Sequence, residues 1–194
     1  MITDHQVKHI HSTHDGDDLV AYMARVSNPK NQDNTATAPK LIKYLIKHKH
    51  WSPFEMVSMC VEIETTRSVA AQILRHRSFS FQEFSQRYAE VTDLPTVPDL
   101  RRQDTKNRQN SIDDLNAYDV QQFQMQIQQH HDTSLWLYKQ MLAAGVAKEC
   151  ARDILPLSSK TKLYMHGTLR SWLTYCDLRT ANGTQLEHQS IAEQ

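Results

Sequence analysis

Between residues 56 and 65 the chain alternates, with apolar residues at Val57, Met59, Val61 and Ile63. A period of two belongs to a strand with one face buried. This stretch therefore commits the chain to a sheet. Residues 7–13 mix apolar and polar side chains and form a candidate first strand, and residues 161–165 form another. Helix signals fill much of the rest. Asp15-Gly16-Asp17-Asp18 supplies start chemistry for a helix over 19–27, and Asn28-Pro29 stops it. Leu41, Ile42, Tyr44, Leu45 and Ile46 form one broad apolar face of a second helix. Further helices are predicted over 68–75, 119–144 with Gly145 as its C-cap, 147–154, 168–176 and 184–194. In the long one, Leu135, Trp136, Leu137, Met141 and Leu142 are expected to pack, and His130 and His131 to be solvated. Trp172 and Tyr175, three apart, are expected to point inward. A Pro- and Asp-containing loop spans 93–99, and the highly polar stretch 101–116 is expected to be a mobile excursion. The expected architecture is α+β. It is a single domain over 1–194, with a small, mostly antiparallel sheet flanked by helices, one of them long.

Charge narrows the function. The 194 residues carry 22 Lys+Arg against 22 Asp+Glu, a formal net charge of zero. A surface that tracks a nucleic-acid backbone needs a basic excess, so no nucleic-acid partner is expected. No apolar run approaches the roughly 20 residues of a membrane helix. The opening residues lack the basic flank and apolar core of a signal peptide. Cys60, Cys150 and Cys176 are odd in number and widely spaced, as in a reducing compartment. The expected location is the cytoplasm, that of a host cell if the chain is phage-encoded. His9, His11 and His14 lie close together, but no Cys or acidic residue completes a zinc pattern. No metal is expected.

The densest chemistry lies in residues 73–88, ILRHRSFSFQEFSQRY. Arg offers a planar fork of donors that fits phosphate oxygens. Gln, Ser and Glu can bond the edges of a flat heterocycle. The segment reads as a nucleotide site or, equally, as a solvated loop with surface ion pairs.

Arg75-His76-Arg77, followed after seven residues by Ser85, resembles the RHR-x7-S signature of the flavin-dependent thymidylate synthases, the ThyX family. Glu83, Arg87 and Tyr88 also match. Upstream, His50-Trp51-Ser52-Pro53-Phe54-Glu55 is similar to the family's H-x-[ST]-P-F-E segment, and Ala24-Arg25-Val26-Ser27 to its first-helix ending. Downstream, residues 151–156 and 170–179 follow in the family's order. The resemblance covers nearly the whole chain.

The resemblance implies a methyltransferase that converts dUMP to dTMP. FAD is the implied cofactor, with NADPH and methylenetetrahydrofolate as co-substrates. Arg75, His76 and Arg77 would contact the flavin, joined by His50, Ser52, Glu55, Gln82, Glu83, Thr168, Arg170 and Thr174. Gln72, Arg75, Glu83, Phe84, Ser85, Gln86, Arg87 and Arg152 would hold dUMP, with Ser85 and Arg87 on its phosphate. Ser85 has no base at a useful spacing, which fits binding rather than nucleophilic attack. Arg179 would be catalytic, stabilising negative charge that develops at uracil N3 and the adjacent carbonyl. A homotetramer with sites shared between subunits is implied. The chain departs from the family pattern at Gln82 and Thr174, where Asn is usual, at Met56, where His is common, and at Thr168. It also lacks a His directly after Arg179, although His188 follows. Two alternatives stay open. One is a different one-carbon transfer to a pyrimidine nucleotide, and the other a catalytically silent nucleotide- or flavin-binding relative.

Overall fold

The computed structural model describes residues 5–93 and 95–194. Residues 1–4 and Leu94, which fall within the expected domain and the expected 93–99 loop, lie outside the described residues. In chain order the elements are β1 (Gln6–Ser12), α1 (Gly16–Ala24), α2 (Ala38–Lys47), β2 (Ser58–Thr66), α3 (Arg67–Ile73) and β3 (Ser80–Glu83). Then come β4 (Arg102–Gln103), β5 (Ser111–Ile112), α4 (Ala117–Ala143), α5 (Lys148–Ala151), β6 (Lys160–Thr168), α6 (Leu169–Arg179) and α7 (Leu186–Glu193). The architecture is α+β, as the periodicities imply.

The main sheet has the order β1-β2-β6-β3, and every neighbouring pair is antiparallel. The alternation that defines β2 does what its period requires. Val61 and Ile63 are buried and stand opposite Met165 and Leu163 of β6. These four join Val69, Ile73, Phe79, Trp172, Tyr175 and Ile191 in the largest apolar cluster. The helices α3, α6 and α7 thus cover one face of the sheet. Gly167 is needed in β6, because a Cβ there would lie 2.5 Å from the Phe79 ring. Its absence lets Phe79 stack edge-on to Trp172.

Both central strands pass straight into helices. Thr66 ends β2, and its hydroxyl accepts from Val69 N to cap α3. Thr168 ends β6, and its hydroxyl accepts from Ser171 N to cap α6. This is ordinary N-cap chemistry for Thr. Because Ser58 pairs with Thr168 and Thr66 with Lys160, the two helices leave from opposite ends of the sheet.

Four expectations need correction. Residues 80–83 are a strand rather than part of a loop. They are a short edge segment, whose pairing with β6 is set by the partner and not by their own weak pattern. The 101–116 excursion carries a paired hairpin, with Arg102 opposite Ile112 and Gln103 opposite Ser111. On α4, the buried residues are His131, Ser134, Leu135 and Tyr138. That single i, i+3, i+4, i+7 stripe leaves Trp136 and Leu137, both expected to pack, turned away at 61% and 42% exposure. The same stripe buries His131, whose Nε2 lies 3.0 Å from the Ser158 hydroxyl. Trp172 and Tyr175 do point inward, both buried.

Candidate active site

The chain leaves α3 at Ile73 and turns tightly before β3. His76 N donates to Ile73 O and Phe79 N to His76 O. A turn this tight sends alternate side chains opposite ways. Arg75 and Arg77 are exposed, and among the described residues neither guanidinium has a hydrogen bond or ion pair. His76 points inward, with its ring edge-on to Tyr175 at 4.9 Å. Arg179, the last residue of α6, donates from Nε to His76 Nε2 at 2.9 Å. A guanidinium can only donate, so His76 is neutral there, with its proton on Nδ1. Burial, and then the charges of Arg179 and Arg75, hold its pKa below the ordinary histidine value. The two terminal nitrogens of Arg179 have no partner among the described residues.

A second layer stands behind this pair. His188 is fully buried at 0% exposure. Its Nε2 lies 3.0 Å from the Tyr175 hydroxyl and its Nδ1 3.3 Å from Gln72 Oε1. Gln72 Nε2 in turn donates to Gln185 Oε1 at 2.6 Å. Burial, then the nearby charges of Arg179 and His76, lower the His188 pKa to about 4. Neither Tyr175 nor His188 stands out in the sequence, where one reads as core and the other as a stray histidine.

The second half of the signature forms a separate group. Glu83 accepts from the Thr161 hydroxyl at 2.9 Å and pairs with Arg67 at 3.1 Å. Arg67 also donates to Phe84 O. It is central here, yet no motif marked it. Ser85 Oγ accepts from Arg87 N, and Arg87 pairs with Glu149 at 3.1 Å. Gln86 is buried and lines a cleft with Arg67, Arg152 and Asp153. Arg152 lies 3.8 Å from Asp153. Among the described residues, no hydrogen bond or ion pair joins the Glu83–Arg87 group to Arg179.

A third group sits at the start of α6. Glu55 ends a 3-10 turn over Ser52–Glu55. It accepts from Arg170 Nη1 at 2.6 Å and from the Thr168 hydroxyl at 2.9 Å. The Arg170 hydrogen bond is the main reason its pKa lies below the usual carboxylate value. Thr174 closes its hydroxyl on Arg170 O within the helix. Ser52 and His50 are exposed, and the His50 ring lies edge-on to Tyr44. Gln82 is exposed in β3, opposite Tyr164, and Met56 is exposed beside the 3-10 turn. The structure thus gathers the site residues into three clusters, with His50, Ser52 and Gln82 apart on the surface. Among the described residues, no group of His, Cys, Asp and Glu could hold a metal ion.

Residues 8–194 match the family described as thymidylate synthase complementing protein. The chain belongs to the flavin-dependent thymidylate synthase family. It is 53% identical over 176 residues to a probable flavin-dependent thymidylate synthase of Paramecium bursaria Chlorella virus 1, covering 91% of this chain and 82% of that one. It is 51% identical over 174 residues to the flavin-dependent thymidylate synthase of Synechocystis, covering 90% and 80%. In structure it is similar to the UMP/dUMP methylase PolB of Streptomyces cacaoi bound with 5-Br dUMP. The TM-score is 0.87 at 30% identity, over 98% of this chain and 87% of that one.

Proposed function

We propose that this chain, acting as one domain, methylates dUMP to dTMP, with methylenetetrahydrofolate as carbon donor and FAD reduced by NADPH. The observation that carries the reading is the Arg179–His76 pair. A neutral imidazole accepts a hydrogen bond from the Nε–H group, leaving four N–H groups of the guanidinium for a substrate. A fixed cation at the uracil edge stabilises negative charge at N3 and the adjacent carbonyl, and it needs no reorganisation as that charge appears. Arg75 and Arg77 suit the FAD pyrophosphate, being two exposed guanidiniums in one turn with no partner among the described residues. Bound flavin would supply the hydride chemistry. Ser85 and Arg87 would take the dUMP phosphate, with Arg152 beside them.

A homotetramer with shared sites completes the proposal, and two observations support it. Among the described residues no hydrogen bond or ion pair links the Glu83–Arg87 group to Arg179 within one chain, and α4 exposes Tyr118, Phe123, Met125 and Trp136. Large exposed apolar side chains along one helix fit an interface. No helix among the described residues is long and apolar enough to cross a membrane. The proposed setting is the cytoplasm, in keeping with three free cysteines.

A second reading, transfer to UMP as well as dUMP, is raised by the PolB neighbour. The test is incubation with dUMP or UMP, methylenetetrahydrofolate, FAD and NADPH, followed by mass spectrometry of the nucleotide. A methyl gain on dUMP is expected. A hydroxymethyl gain, or no gain, overturns the reading.

A further inference from the structure

His188 has two partners, and their chemistry dictates its protonation. Gln72 Oε1 can only accept, so His188 Nδ1 carries the proton. Its Nε2 then accepts from the Tyr175 hydroxyl. Gln72 is thereby oriented with its carbonyl toward His188 and its amide nitrogen toward Gln185. Tyr175 is held with its ring against His76 at 4.9 Å and 77°. His76 in turn accepts a hydrogen bond from Arg179 Nε. Two lines of contact therefore run out from one imidazole. One reaches a residue assigned to dUMP binding, and the other reaches the proposed catalytic cation.

We propose that His188 is a positioning residue for both ends of the nucleotide site, aiming Gln72 through Nδ1 and Arg179 through Nε2, Tyr175 and His76. The inference rests on the thymidylate reading of the site. The position is suited to the task. A flexible side chain could not hold a donor and an acceptor on opposite sides at fixed angles, whereas an imidazole ring does. Full burial keeps water from competing for either bond. The low pKa keeps the ring neutral, so the donor–acceptor order does not invert. Neither partner is lost to solvent, since Tyr175 is buried and Gln72 half-buried.

The two lines can be cut separately. Asn at this position keeps a donor near the site of Nδ1, and Gln keeps an acceptor near the site of Nε2. His188→Asn is expected to bind dUMP like the wild type, with kcat down about tenfold, the scale of one misdirected hydrogen bond. His188→Gln is expected to show the reverse, a dUMP affinity about tenfold weaker with kcat largely kept. His188→Leu should lose both. Calorimetric titration with dUMP, steady-state kinetics and melting curves read these effects. A merely structural histidine would make all three variants lose affinity, kcat and melting temperature in parallel, and that pattern overturns the proposal. So does a set of variants indistinguishable from the wild type.

A measurement on the unmodified protein guards against variants that do not fold. Nitrogen-15 imidazole spectra at neutral pH should show His188 neutral with its proton on Nδ1. A proton on Nε2 overturns the proposal. Wild-type protein that neither binds nor methylates dUMP overturns the functional reading. Wild-type protein that does both, with affinity and kcat untouched by His188→Leu, overturns this inference alone.

Discussion

The two ends of the candidate site meet opposite fates. At Arg179 the cation faces neutral groups, a buried His76 backed by Tyr175 and His188. At the other end each cation already has a carboxylate: Arg67 has Glu83, Arg87 has Glu149 and Arg152 has Asp153. The first arrangement fixes geometry and leaves donors unspent. The second stores cations in half-buried or exposed pairs, and the exposed Arg87–Glu149 pair is worth roughly 0–1 kcal/mol. A phosphate can therefore displace Glu149 from Arg87 at small cost. Pairing with a neutral partner suits a group that must not move. Pairing with an exposed carboxylate suits a group that must change partners.

The largest effect should come from the rigid end. Arg179→Ala is expected to keep flavin, read by its absorbance, while turnover falls about a hundredfold or more. Unchanged turnover would remove Arg179 from the chemistry and erase the contrast. Next comes the exchangeable end. Arg87→Ala should raise the KM for dUMP at least about tenfold, the value of a charge-assisted hydrogen bond. Glu149→Gln should leave that KM unchanged or lower it by no more than about threefold. A rise would mean that Glu149 aligns Arg87 rather than parking it.

A smaller effect concerns acid. The His188 pKa falls from 6.5 to about 4 on folding. The unfolded chain thus binds the extra proton more readily between those values. The stability this burial carries is whole above about 6.5 and is lost as pH drops toward 4. His76 and His131 shift in the same direction, so the slope is shared. Melting temperatures between those pH values should fall less steeply in His188→Leu than in the wild type, and equal slopes would contradict the low value. The smallest effect is expected at Thr174, whose hydroxyl is closed on its own helix. Thr174→Ala should change stability by less than about 0.5 kcal/mol and leave flavin affinity intact. A clear loss of flavin would place Thr174 in the cofactor pocket.

The sheet was largely legible. The β2 alternation is strong because Val61 and Ile63 face the main apolar cluster while Glu62 and Glu64 between them do not. The edge strand β3 is not legible, because four residues, half of them exposed, carry too little pattern. The exposure of Trp136 is not legible, because hydrophobicity alone does not say which stripe of α4 meets the core. The signature residues were legible through resemblance, whereas their supports were not. Arg67, Tyr175 and His188 carry no motif. Their roles depend on which strands become neighbours, and that is a long-range fact. His188 and Gln72 are 116 residues apart in sequence yet share a hydrogen bond.

The loopless joins at Thr66 and Thr168 set limits on how such a chain can lengthen. One residue added at either join advances a strand by about 3.3 Å and turns its alternation over. His76 or Arg179 would then swing away from its partner, so natural or engineered insertions there should be selected against. The tip of the β4–β5 hairpin feeds no helix, and it is where this scaffold has slack to grow.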